Sequence, residues 1–281
     1  MSKKRIILDI LRHVVLVIIC AFWLIPIVWL VVTSFSAYPG RNTSHFFPEQ
    51  WTFNNYIALF GSDTVANFKA WFMNTFKIAV VCCIVSTLFT IMVAYATSFF
   101  KFRARKPMMN VAVILNLFPG VLSMISVYFI LKALDLTNTH LGLTLVYCAS
   151  SGLGFLIAKG YFDTVPRSLC EAAKLDGASQ ARTFFTIIMP LSKPIIVYTI
   201  INSFLTPWTD FVFAKMILNS GISDMWTVSI GLYNMLEKSL INSYFSIFCA
   251  GGVVVSIPIS VLFVIMQKFY VDGITGGAVK G

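Results

Sequence analysis

Six stretches of this chain, at about residues 14–36, 71–100, 107–131, 141–162, 195–217 and 246–271, stay apolar for some twenty residues or more. A helix rising about 1.5 Å per residue covers roughly 30 Å in that length, the thickness of bilayer hydrocarbon. Each run is therefore read as a membrane-crossing helix. Composition agrees: 58% of the 281 residues are hydrophobic and 11% charged, with a mean hydropathy of +0.84, too apolar for burial in a water-soluble core. The chain therefore reads as an all-α integral membrane protein, one polytopic domain over residues 1–281 with six transmembrane helices and the lipid bilayer as its solvent.

The net charge of +10 is spread over the ends of the apolar runs and forms no single stripe, which argues against a nucleic-acid partner. With the N-terminus inside, fifteen of the 21 basic residues fall in cytoplasmic parts, five outside and Lys77 within the second span. That asymmetry follows the positive-inside rule and predicts both termini in the cytoplasm of the cell (inner) membrane. The first run follows Lys3, Lys4, Arg5 and Arg12. It exceeds the roughly 7–15 apolar residues of a signal-peptide core, so it is read as an uncleaved span kinked at Pro26, despite the small-x-small pattern of Ser34-Phe35-Ser36. Lys77 lies near the outer end of its span and can snorkel to water.

Residues 165–194 form the most polar extended stretch between two spans. Pro166 can open a helix, since a first-turn residue needs no NH donor, and Arg167 to Asp176 surround Glu171, Ala172 and Ala173 with helix formers. Gly177 ends that helix, Ser179 can cap a second, and Pro190 and Pro194 are expected to stop it. Two short helices joined by a glycine bend result.

This stretch, Glu171-Ala172-Ala173, then three residues and Gly177, then nine residues, Ile187, Met189 and Pro190, resembles the EAA signature of membrane subunits of ATP-binding-cassette (ABC) importers, with Met189 where Leu is usual. The resemblance implies the type I ABC importer permease fold with cytoplasmic coupling helices. It also implies that Glu171, Ala172, Ala173, Asp176, Gly177 and Pro190 couple the chain to a separate ATPase. Six spans, the loop, Trp208-Thr209-Asp210 and a glycine-rich tail look most like the second permease subunit of maltose/maltodextrin-type sugar importers. Its implied partners are an ABC ATPase dimer, a second homologous permease subunit and an extracytoplasmic sugar-binding protein. In that subunit a similar tail reaches toward the ATPase pair, whereas here residues 272–281 read as too flexible to span.

The fifth run is interrupted by Asn202, Pro207, Trp208, Thr209 and Asp210. Polar groups at such depth face a cavity or a bundle interior, making Asn202, Trp208 and Asp210 candidates for a translocation path. Asp210 equally suits the water-exposed end of the helix. In the fourth run, residues 149–154 are small apart from Leu153, which suits a close helix crossing more than a passage lining. Outer loops are expected at 37–70, where Phe46, Phe47, Trp51 and Phe53 suit interfacial anchoring, and at 218–245. In the second, Trp226, Ile230, Tyr233, Leu236 and Leu240 predict an interfacial or re-entrant helix.

No phosphate-binding Gly-x-x-x-x-Gly-Lys-Ser/Thr loop occurs, so ATP would be bound by a partner and the chain is read as a transport subunit, not an enzyme. The six cysteines and three histidines lack metal-ligand spacing, and no cofactor or metal is implied. An ion-gradient-driven secondary transporter is the alternative, with Asp210 its one intramembrane carboxylate.

Overall fold

The structure is a computed structural model that describes residues 3–41, 45–61, 67–117, 120–150 and 154–278. Those residues are mostly helical, and no named strand occurs among them, a lone bridge between Ser36 and Trp51 aside. Four stretches, Ile7–Ser34, Phe68–Phe99, His140–Phe162 and Ile241–Phe269, are each long and apolar enough to cross a membrane. Two bent helix pairs raise the number to six if each pair is one span.

The chain divides into two compact units, Met1–Phe68 with Gly231–Ile257 and Lys69–Ile230 with Pro258–Gly281. In the first, helix α1 (Lys3–Ser34) is exposed over most of its length, with Phe22 and Trp23 almost three-quarters accessible. Such a surface belongs in lipid or against another apolar helix. At its end the chain turns into the loop before α2 (Asn54–Leu59). Asn55 ties that turn by donating from Nδ2 to the carbonyls of Ser34 (2.9 Å) and Ser36 (2.8 Å). Phe35 packs on Phe53 and Tyr56, each at 5.2 Å between centroids, and on Trp51 at 6.5 Å. Two of the expected anchors, Trp51 and Phe53, thus hold their own loop while remaining largely exposed. Gly40 approaches the start of the last helix: a Cβ there would meet the carbonyl oxygen of Asn242 at 3.0 Å.

The second unit contains α3 (Phe68–Phe99, from Lys69 on), α4 (Arg105–Leu117), α5 (Gly120–Ala133), α6 (His140–Ser150) and α7 (Phe155–Phe162). The third apolar run, expected to be one continuous span, is instead a helix pair bent by 106° between α4 and α5. Next come α8 (Arg167–Leu175), α9 (Gln180–Thr183), a π-helical turn at Phe184–Ile188, α10 (Met189–Leu191), α11 (Lys193–Thr209) and α12 (Val212–Ile217). The fifth run accordingly breaks after Thr209 and does not continue as one helix to residue 217.

Residues 218–230 are clamped onto α3. Trp71, fully buried, donates from Nε1 to the Ser223 carbonyl at 2.9 Å. Asn74 donates to the carbonyls of Asp224 (2.7 Å) and Trp226 (3.1 Å), and Thr75 Oγ1 accepts from the Val228 NH at 2.8 Å. The helix expected over 226–240 is shorter: α13 covers Val228–Asn234, and Trp226 lies before it in extended backbone, buried against Trp71. Backbone bonds spent on α3 are unavailable for a helix, which accounts for the late start. Helix α14 runs from Ile241 to Ala278, so residues 272–278, expected to be flexible, continue the last helix.

Candidate functional site

The loop at 165–194 folds from its local chemistry. Pro166, at φ −59° and ψ 125°, precedes the first turn of α8. The helix closes with paired bonds, Ala178 NH to the Ala173 carbonyl at 2.9 Å and Gly177 NH to the Lys174 carbonyl at 3.1 Å. This is the Schellman arrangement, which needs a left-handed residue at Gly177, where φ is +76°. Ser179, extended at ψ 159°, then caps the second helix, its Oγ accepting from the Arg182 NH at 3.2 Å.

The two helices of this hairpin are held very differently. Only Ala173 of α8 is buried; Glu171, Ala172, Asp176 and Gly177 are exposed, and Leu175 is 90% accessible. The second helix is rooted. Phe184 and Ile188 enter a cluster with Ile91, Ala94, Tyr95, Phe155, Ala158, Phe162 and Ile195, and the rings of Tyr95 and Phe184 lie 4.7 Å apart. Tyr161 bonds from its hydroxyl to the Leu191 carbonyl at 3.1 Å. Contrary to expectation, Pro190 does not end this helix. It sits at the start of α10, beyond the π-helical turn, and the chain turns only at Ser192, by 83°. A wide turn just upstream relieves the clash that a proline ring makes with the carbonyl four residues back. Pro194 lies in the first turn of α11, where its missing NH costs nothing.

A second feature lies along α11. An open cavity of about 220 Å³ is lined by Thr90 of α3, Gly154 and Ile157 of the fourth run, and Tyr198, Thr199, Asn202, Ser203 and Thr206 of α11. The five α11 residues follow the spacing of one helix face. Asn202 is exposed there, its Nδ2 donating to the Tyr198 carbonyl at 2.8 Å. Gly154 has no atom within 4 Å of where a Cβ would stand, so this end of the small-residue stretch lines open space and makes no tight crossing. Residues 151–153 lie outside the described set.

The other two path candidates sit elsewhere. Trp208 is 4% accessible, with its ring edge-on to Phe72 at 5.2 Å. Asp210 is a junction. Its carboxylate accepts from the Phe213 and Ala214 NH groups (3.2 and 2.9 Å) and from the Tyr147 hydroxyl (2.6 Å), while its carbonyl accepts from Ser229 Oγ at 2.6 Å. Asp210 is extended at ψ 122° and caps α12 from two residues before its start. The structure thus brings Asn202 to the cavity and leaves Trp208 and Asp210 off its wall.

Against known proteins, the family described as "Binding-protein-dependent transport system inner membrane component" matches residues 86–275. This chain belongs to that family. As an inner membrane component it aligns with the galactooligosaccharides transport system permease protein GanQ of Bacillus subtilis, 32% identical over all of this chain and 99% of that protein. It is also 32% identical to the maltodextrin transport system permease protein MalD of Streptococcus pneumoniae, over 90% of this chain and 89% of that protein. A crystallised bacterial ABC transporter involved in import of the acidic polysaccharide alginate contains a chain with the same fold. The two superpose with a TM-score of 0.75 at 22% identity, over 96% of this chain and 99% of that one. The inner membrane component accordingly has the ABC importer permease fold.

Sequence reasoning overlooked Tyr147, Ser229 and the polar face of α11 apart from Asn202. Thr199, Ser203 and Thr206, with Tyr198 and Asn202, already lie at helical spacing in an apolar run, and that pattern was the available signal.

Proposed function

We propose that this chain is the permease subunit of an ATP-driven importer that passes a sugar across the cytoplasmic membrane by alternating access. In this reading it works beside a second, related permease, an ATPase dimer and an extracytoplasmic binding protein. Both termini and the 165–194 loop face the cytoplasm. The observation that carries the reading is the contrast within the hairpin. Helix α8 offers Glu171, Ala172 and Asp176 to solvent, while Phe184 and Ile188 anchor the adjoining helix in the apolar cluster. Movement of a docked ATPase is then passed to α11 through a short, packed connection.

Glu171 holds the dock electrostatically, Ala172 and Ala173 keep the contact face low, and Asp176 with Gly177 fixes the bend. Pro190, exposed at the start of α10, bounds the π-helical turn on the side of α11. The solute passes along the polar face of α11, with Asn202 and the neighbouring hydroxyls exchanging hydrogen bonds with sugar hydroxyls. Trp208 and Asp210 support that face from behind. Relatives named for galactooligosaccharide, maltodextrin and arabinooligosaccharide transport support an oligosaccharide as cargo, and a maltodextrin-type cargo is the finer reading.

The test is reconstitution of the assembled transporter in vesicles with a sugar-loaded binding protein. ATP should drive uptake, and Glu171→Lys should abolish both uptake and ATPase association while leaving the chain folded. Uptake that needs an ion gradient and not ATP, or full coupling in Glu171→Lys, would overturn the proposal.

A further inference from the structure

We infer that the recess between the end of α3 and helix α8 binds the phosphodiester headgroup of an anionic phospholipid. The recess holds about 280 Å³ and carries Lys101, Arg167 and Lys174, with Glu171, on a wall formed by Tyr95 and Phe99. Three cations face one carboxylate. Among the described residues no ion pair joins any of the three cations to an acid, so their charge is available to a ligand. A phosphodiester suits them, because guanidinium forms paired bonds to phosphate oxygens and ammonium adds a compact charge.

The source of the phosphate follows from position. Lys101 comes two residues after the end of α3, a helix long and apolar enough to cross the bilayer, and opens a run with Arg103, Arg105 and Lys106. Basic clusters directly beyond a transmembrane helix meet headgroups of anionic leaflets. The aromatic wall points the same way. Tyr95 and Phe99 stack at 5.0 Å, and Tyr95 donates to Gln180 Oε1 at 3.4 Å, joining apolar and polar surfaces as a headgroup boundary requires. The inference needs only a chain seated in lipid, so its failure leaves the transport reading untouched, and a failed transport test leaves the recess as it is.

The full-length chain in micelles containing equal phosphatidylglycerol and phosphatidylcholine should retain phosphatidylglycerol selectively by native mass spectrometry. The variant K101Q/R167Q/K174Q should weaken that retention about a hundredfold, at a severalfold loss for each cation. R103Q/R105Q/K106Q should keep most of it, and K101R/R167K/K174R should preserve it. In parallel, phosphatidylglycerol with a photoreactive headgroup should label peptides from 95–101 and 167–183 of the unaltered chain, a readout that does not depend on any variant folding. Three results would overturn the inference: undiminished retention in the pocket variant, equal loss in the 103–106 variant, or labelling elsewhere. Displacement of the lipid by inorganic phosphate at comparable concentration would assign the recess to a free anion and overturn it too.

Discussion

Replacing Asp210 by Ala separates a supporting role from a solute-path role, because the three partners of its carboxylate define what is lost. The carboxylate caps α12 through the Phe213 and Ala214 NH groups and takes the hydroxyl of Tyr147, whose side chain is 5% accessible. Loss of a cap costs about 1 kcal/mol. Leaving a buried hydroxyl without its acceptor costs about 1–3 kcal/mol more. The sum, about 2–4 kcal/mol, corresponds to a fall in Tm on the order of 5–10 °C for a chain of this size. Intrinsic fluorescence during heating in mild detergent reads it. Asp210→Asn keeps an acceptor for the backbone NH groups and should cost about 1 kcal/mol. Tyr147→Phe removes the hydroxyl that Asp210→Ala would orphan, so the double variant should be less destabilised than the sum of the singles, by about 1–2 kcal/mol. Sugar uptake should fall only as folded protein falls. A wild-type Tm in Asp210→Ala together with lost uptake would refute this reasoning and move the carboxylate into the path.

Gly177→Ala should destabilise the hairpin by about 1 kcal/mol, since a Cβ is strained at φ +76° even though the surrounding space is open, and amide exchange at 173–179 should quicken. Leu175→Ser should leave stability within about 0.5 kcal/mol of wild type, because the side chain is 90% accessible, yet weaken co-purification of the ATPase. Cys170 should alkylate slowly near neutral pH. Burial first, and then the charge of Glu171, push its thiol upward, so less thiolate is present and the rate should still climb where a free cysteine has levelled off. Glu171→Gln should raise the rate at fixed pH. Asn202→Ala should reduce sugar uptake severalfold with Tm unchanged, since the residue is exposed in the cavity.

What could be read from residue order was what neighbours decide. Gly177 and Ser179 set the hairpin because a left-handed turn and an N-cap are chosen within five or six residues. Apolar length marked the spans for the same reason. The misses involve partners far along the chain. Asp210 was read as a path residue or a helix end; it does end α11, and what its neighbours could not reveal is that Tyr147, 63 positions earlier, holds its carboxylate. Trp226 looked helical until Asn74 and Thr75, about 150 positions away, drew residues 224–228 onto α3. Pro190 was expected to stop a helix, and the π-helical turn that accommodates it leaves no mark in hydropathy. The 106° bend in the third run is equally invisible to composition.

Because α8 packs on its own chain mainly through Ala173 and Cys170, while Phe184 and Ile188 stay locked in the cluster, the remaining positions of this outer arm are free to diverge. Its sequence can be exchanged without disturbing the bundle behind it. If that arm is the coupling element proposed above, a lineage can re-pair one membrane scaffold with a different motor by altering the arm alone, and a laboratory can swap it between permeases to rewire which engine drives which cargo.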